Sequence, residues 1–236
     1  LAQTDTIVLP PGTEDRSGSG TEAVFGDTRF QQFFSSALLT PAMPNGALIS
    51  GISFRRDDQT PWTGEVTFQA VEIILSTTDR TASSFSSLTP IFAENLGPDA
   101  RTVFSQSRVH WVLRNFPGQA NPFDAAIQFS TPFLYDPKQG NLLIDVTFLG
   151  GDAAITLDLA GASSVPRDLA FFIRGGRGDP PGNSSLSFGW LNGGAYVTQI
   201  SYSPIPEPPA VVLLSIGIVA MALSLAWPCR RPVSEA

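Results

Sequence analysis

The chain has 236 residues, 21 of them acidic and 14 basic, with a net charge of −7, one histidine and one cysteine. An acidic surface argues against a nucleic-acid partner, and one His with one Cys supplies neither a usual zinc ligand set nor a disulfide framework. With 21 Gly and 20 Pro punctuating short apolar runs, the composition points to strands separated by turns.

In chain order, residues 1–22 read as a flexible N-terminal segment, because "LPPGTEDRSGSGTEA" is polar and rich in Pro, Gly and Ser. The next 180 or so residues, 23–202, read as one all-β unit of many short strands, an antiparallel β-sandwich or jelly roll. "NGALISGISFRR" supplies an early strand. "GEVTFQAVEIILST" turns Val66 and Phe68 inward and then changes phase to Val71, Ile73 and Leu75, which predicts a β-bulge near Gln69-Ala70. "RVHWVLR" alternates Val109, Trp111 and Leu113. "NLLIDVTFLG" puts Leu142, Ile144, Val146 and Phe148 on one face, with Leu143, Asp145 and Thr147 on the other. "AAITLDLAG" aligns Ile155, Leu157 and Leu159, "DLAFFIRG" aligns Leu169, Phe171 and Ile173, and "GGAYVTQISYS" adds a last strand. There is no internal repeat, no heptad pattern and no sustained helical period in this unit.

The C-terminal end changes character. Residues 203–208 form a stiff linker containing Pro206, Glu207 and Pro208. From Pro209 to Trp227 no side chain is charged, and at about 1.5 Å per residue that run spans roughly 28 Å, the thickness of a bilayer's hydrocarbon. In hydrocarbon such a span has to be helical, so a transmembrane helix is expected over 209–228, ended by Pro228. The tail 229–236 carries Arg230 and Arg231, which the positive-inside bias keeps cytoplasmic, leaving the β unit outside. An outside body implies export, and because the chain starts at Leu1 without a basic and apolar leader, a removed signal is expected.

Candidate chemistry is sparse. His110 is the base on which a Ser-His-Asp arrangement would have to be built, but no GxSxG elbow is present and alternation turns it outward. Glu65 and Glu72 could serve as a glycosidase pair only if the bulge brings them to one face. Asp57, Asp58, Asp136, Asn141 and Asp152 sit in turns and are candidate oxygen ligands for a structural calcium ion, although no EF-hand loop is present. Trp62 and Trp190 lie beside turns, where an exposed indole could stack on a sugar ring. "RGGRGDPPGN" reads as a loop.

Pro206-Glu207-Pro208, an apolar helix and Arg230-Arg231 together resemble the PEP-CTERM sorting signal of Gram-negative bacteria. The resemblance implies recognition by exosortase, a membrane-embedded transpeptidase that cleaves near the motif. Within the body, "FGDTRFQQFFSSALL", "ISGISFRRD", "IILSTT", "AENLGPD" and "TPFLYDPKQGNLLIDV" are similar to the ectodomain common among such proteins, which implies a β-sandwich but, having no assigned activity, carries over no catalytic residues. The expectation is an exported, non-catalytic cell-surface or matrix protein, anchored in the inner membrane before processing. Its partners are then exosortase, membrane lipid and exopolysaccharide, and no cofactor is called for beyond that calcium. A carbohydrate-binding module and a glycoside hydrolase with an unrecognised carboxylate pair are the alternatives.

Overall fold

The computed structural model describes residues 4–59, 64–80, 89–161, 170–176 and 190–206. Its strands are β1 (Asp5–Leu9), β2 (Gly20–Val24), β3 (Thr28–Phe34), β4 (Ala47–Phe54), β5 (Glu65–Thr78), β6 (Arg101–Val112), β7 (Ala125–Tyr135), β8 (Asn141–Leu149), β9 (Ile155–Gly161), β10 (Ala170–Gly176), β11 (Trp190–Tyr196) and β12 (Thr198–Pro204). Two single-turn helices, α1 (Ser36–Leu39) and α2 (Phe92–Asn95), interrupt them. The fold is all-β and sandwich-like. A four-stranded sheet in the order β1-β12-β4-β7 faces an eight-stranded sheet in the order β2-β9-β11-β10-β3-β8-β5-β6, and every strand pairing is antiparallel. Residues 1–205 form one compact unit and 206–236 a second, of which only Pro206 is among the described residues. No helix among the described residues is long and apolar enough to cross a membrane, and the expected span at 209–228 lies outside them.

Period-two alternation builds the core between the sheets. Ile49, Ile52 and Phe54 of β4 point inward to meet Phe30 of β3 and Val146 and Phe148 of β8 in a single apolar cluster. A file of aromatic rings crosses the larger sheet. Tyr196 packs 4.6 Å from Phe30, Phe30 lies 6.0 Å from Phe148, Phe148 stacks 4.6 Å from Phe68, and Phe68 meets Trp111 edge-on at 5.6 Å. Each such pair adds about 0.5–1.5 kcal/mol beyond the area it buries.

The phase change in β5 is present, in altered form. Val66 and Phe68 are buried, then Val71, Ile73 and Leu75, with Gln69 and Ala70 between them. The β5–β6 register nevertheless holds across that point, from Phe68 opposite Val109 to Ala70 opposite Ser107. Both strands share the distortion, and Arg108 takes up the twist at φ +56. The register slips further along, between Ile73 and Ile74.

The N-terminal segment departs from expectation. Residues 5–9 are the edge strand β1, paired with β12, and residues 20–24 are β2, paired with β9. The Pro/Gly/Ser stretch between them is held by polar side chains rather than left loose. Arg55 donates to the carbonyls of Glu14 and Arg16, Asp158 accepts from the Gly18 amide at 2.7 Å, and Ser17 donates to Asp58 at 2.8 Å.

The two sheets join at a corner where strands change sheet. β11 ends at Tyr196 in the larger sheet, and β12 begins at Thr198 in the smaller one. The crossing is satisfied from both sides: Val197 donates to the Asp158 carbonyl, and buried Gln32 accepts from the Tyr196 amide while donating to Thr198 Oγ1. Just past β4, Arg56 bridges to Leu157 of β9 and closes the same corner.

Candidate functional site

On β3 and β8 the outer face of the larger sheet carries a second buried layer. Gln31, Phe33, Leu143 and Asp145 point away from the core yet are buried, and residues 92–95 hydrogen-bond to Gln31 on that face. Phe92 of α2 lies under the Arg29 guanidinium at 4.8 Å. Arg29 forks onto Asp145, with Nε to Oδ1 at 2.9 Å and an Nη to Oδ2 at 2.7 Å. Gln31 donates to Asp145 Oδ2 and to the Phe92 carbonyl, and accepts from Asn95 Nδ2. Asn95 also ties down the loop ahead of α2 by donating to the Thr89 carbonyl and accepting from its amide. Gly97 then passes so close to β5 that a Cβ would stand 1.7 Å from the Thr77 carbonyl oxygen, so only glycine fits there.

Beyond this covered layer opens a cleft of about 690 Å³ between the end of β5, residues 94–99 and the β7–β8 hairpin. Asp79, Glu94, Asp99 and Asp136 line it with Arg80 and Leu134. Asp99 accepts from the Thr77 amide, tying its loop to the end of β5, and Asp136 accepts from the Lys138 amide within its own turn. Arg80 donates to the Glu94 carbonyl at 3.1 Å. The described lining holds neither His nor Cys and is predominantly acidic.

The calcium candidates are dispersed. Asp57 caps the Gln59 amide beside the Arg56 guanidinium, whose pKa burial lowers against the opposing field of Asp57. Asp58 accepts from Ser17 and from the Gly118 amide, and Asp152 from the Thr67 amide. Asn141 bridges the Ser36 amide and the Arg80 carbonyl. Among the described residues no three His, Cys, Asp or Glu side chains gather as a metal group.

His110 is half-exposed on the β5–β6 surface, with Nδ1 3.1 Å from Thr67 Oγ1 and Nε2 3.6 Å from Glu65. That trio resembles a hydroxyl–imidazole–carboxylate relay in composition only. It lies on an open strand surface outside the clefts found among the described residues. The β5 phase change does bring Glu65 and Glu72 to one exposed face, but seven residues of strand separate them by roughly 23 Å, far beyond a glycosidase spacing. Of the sorting residues, Pro206, the first residue of the second unit, is exposed, while Glu207, Pro208, Arg230 and Arg231 lie outside the described residues. Trp62 lies outside them too. Trp190 opens β11, and its side chain is likewise outside the description.

Sequence reasoning missed the Arg29–Asp145–Gln31–Asn95 network as a network. Its signal was present as charged and amide residues at alternate positions of otherwise apolar strands.

No protein-family model and no curated protein matches this chain. Among solved structures it is similar to the VP2 subviral particle of infectious bursal disease virus, at 8% identity and a TM-score of 0.16. That match covers 95% of this chain and 48% of the viral chain, so the chain spans about half of that protein's length. At such a score the likeness carries no argument about fold or function.

Proposed function

We propose that the chain is an exported, non-catalytic surface or extracellular-matrix protein. In this reading a jelly-roll-like sandwich is carried to the envelope by a C-terminal PEP-CTERM signal. One observation carries the reading: Pro206-Glu207-Pro208, an uncharged apolar run and Arg230-Arg231 follow one another in the order of that signal. The compact unit ending at Ile205, one residue before the motif, supports it. Prolines keep the motif extended and Glu207 keeps it in water, so a membrane transpeptidase is offered a strand-like peptide at the lipid face. The span 209–228 then serves as an inner-membrane anchor until cleavage, after which the body moves to the cell surface or matrix.

The test is localisation. Replacing Pro206, Glu207 and Pro208 together with alanine in the producing cell is expected to leave the body folded and trap the uncleaved chain in the inner membrane. Unchanged delivery to the outer fractions would reject the sorting role.

A further inference from the structure

The outer face of the four-stranded sheet is polar over most of its area, with Ser50, Gln128, Ser201 and Ser203 pointing out. At one end it changes. Leu134 of β7 stands directly opposite Leu48 of β4, and Ile205 lies diagonally across from Leu48, one residue past β12. The Ile205 amide donates to the Gly46 carbonyl at 3.0 Å, which continues the β12–β4 pairing and fixes Ile205 in the row. Leu134 is 59% exposed, Leu48 44% and Ile205 37%. Neighbouring strands lie about 4.8 Å apart, so the three side chains form one apolar ridge across β12, β4 and β7. The ridge is thus confined to the end of the sheet where the chain leaves the compact unit.

We infer that this ridge is a lipid-facing foot, which rests on the headgroup–acyl boundary of the bilayer. The inference rests on the membrane-anchor reading above. In that reading lipid begins at residue 209, four residues past Ile205, and four extended residues reach at most about 14 Å. Nothing else about the tether would orient the sandwich, since a short linker restricts distance and leaves rotation free. An apolar ridge at the tether point supplies the orientation: lowering three aliphatic side chains into the interface removes their exposed surface from water, at about 25 cal/mol per Å². Asp136 and the acidic cleft adjoin Leu134, so the foot suits a zwitterionic surface and is repelled by an anionic one.

The experiment uses the full chain carrying Cys229→Ser, with a single fluorophore placed through Leu134→Cys or Val112→Cys. Val112 is equally exposed and lies opposite Glu65, at the far end of β5 from the cleft. The protein is reconstituted in phosphatidylcholine nanodiscs doped with headgroup-depth spin-labelled lipid. The label at position 134 is expected to be quenched several-fold more strongly than that at 112, and the difference is expected to shrink when phosphatidylglycerol replaces half of the lipid. Equal quenching in discs that have captured the chain would overturn the foot alone. Failure of the discs to capture the chain would overturn the foot and the membrane anchor together.

Discussion

Two buried arginine–aspartate pairs hold this sandwich, and they spend their hydrogen bonds differently. Arg29 turns two donors onto Asp145 in a parallel fork, and the amides of Gln31 and Asn95 extend that pair to the backbone of residues 89–95. Arg55 meets Asp158 through Nε alone at 2.7 Å and gives its other donors to the Glu14 and Arg16 carbonyls. Arg29 keeps 19% of its side chain in solvent, Arg55 only 1%. The first pair fastens a lid to the outside of a sheet. The second is a peg driven into the corner where the sheets join, and the N-terminal segment hangs on it. A cation with no access to water has no substitute partner, so the corner is the more fragile of the two.

The largest effect is therefore expected at the corner. Arg55→Leu leaves Asp158 and two backbone carbonyls buried without their partner and should cost about 3–5 kcal/mol in chemical denaturation. Its pH dependence is diagnostic. Burial already pushes the Asp158 carboxyl above the usual carboxylate range, opposed by Arg55, so losing Arg55 raises it further. A group whose folded pKa is raised contributes stability that is present below its unfolded pKa and lost as pH rises through the folded value. The variant should therefore lose stability on going from pH 4 toward neutrality more steeply than the parent, and a parallel pair of pH curves would mean that Asp158 is solvated.

An intermediate effect is expected at the lid. Gln31→Leu removes two donors and one acceptor and leaves Asp145 and the Phe92 carbonyl without their bonds from Gln31, at a cost of about 1–3 kcal/mol. Amide hydrogen exchange should accelerate across residues 89–97 while β4 and β12 stay protected. Acceleration spread equally over both sheets would show that the lid and the core open as one unit.

The smallest effect is expected at the pair Arg114–Asp124, where the exposed Arg114 side chain binds a mostly covered carboxylate through two donors at 2.7 and 3.0 Å. The hydrogen bonds from Arg114 hold Asp124 below the usual carboxylate range against the opposing effect of burial. A depressed folded pKa gives stability that is present above the unfolded value and lost as pH falls through the folded one. Asp124→Asn should lower the thermal midpoint slightly at pH 7 and not at all at pH 2. An equal loss at both values would assign the effect to packing.

The inward faces were legible because alternation is local. Val109-Trp111-Leu113, Ile155-Leu157-Leu159 and the shift from Phe68 to Val71 could all be read from neighbouring residues. The second buried layer was not, since Leu143, Asp145 and Gln31 look like an ordinary outer face until residues 92–95 are seen bonded to Gln31. Nor was the corner, because Arg55 and Asp158 are 103 positions apart and no periodicity links them. For the same reason the Pro/Gly/Ser segment read as loose, its restraints being side chains from distant strands. The candidate calcium ligands were picked out by residue type, and the backbone amides they accept from lie in different parts of the chain, which residue type does not show. Three segments far apart in the chain, "FGDTRFQQFF", "AENLGPD" and "NLLIDV", supply Arg29, Gln31, Asn95 and Asp145 to one network.

The most direct test of the sorted-envelope account is the mass of the C-terminal peptide, measured separately in inner-membrane and outer fractions of the producing cell. The account predicts that the outer fraction ends near Pro206-Glu207-Pro208 and carries an adduct, while the inner-membrane fraction retains the apolar segment. A C-terminal peptide extending to Ala236 or beyond in the outer fraction would contradict it.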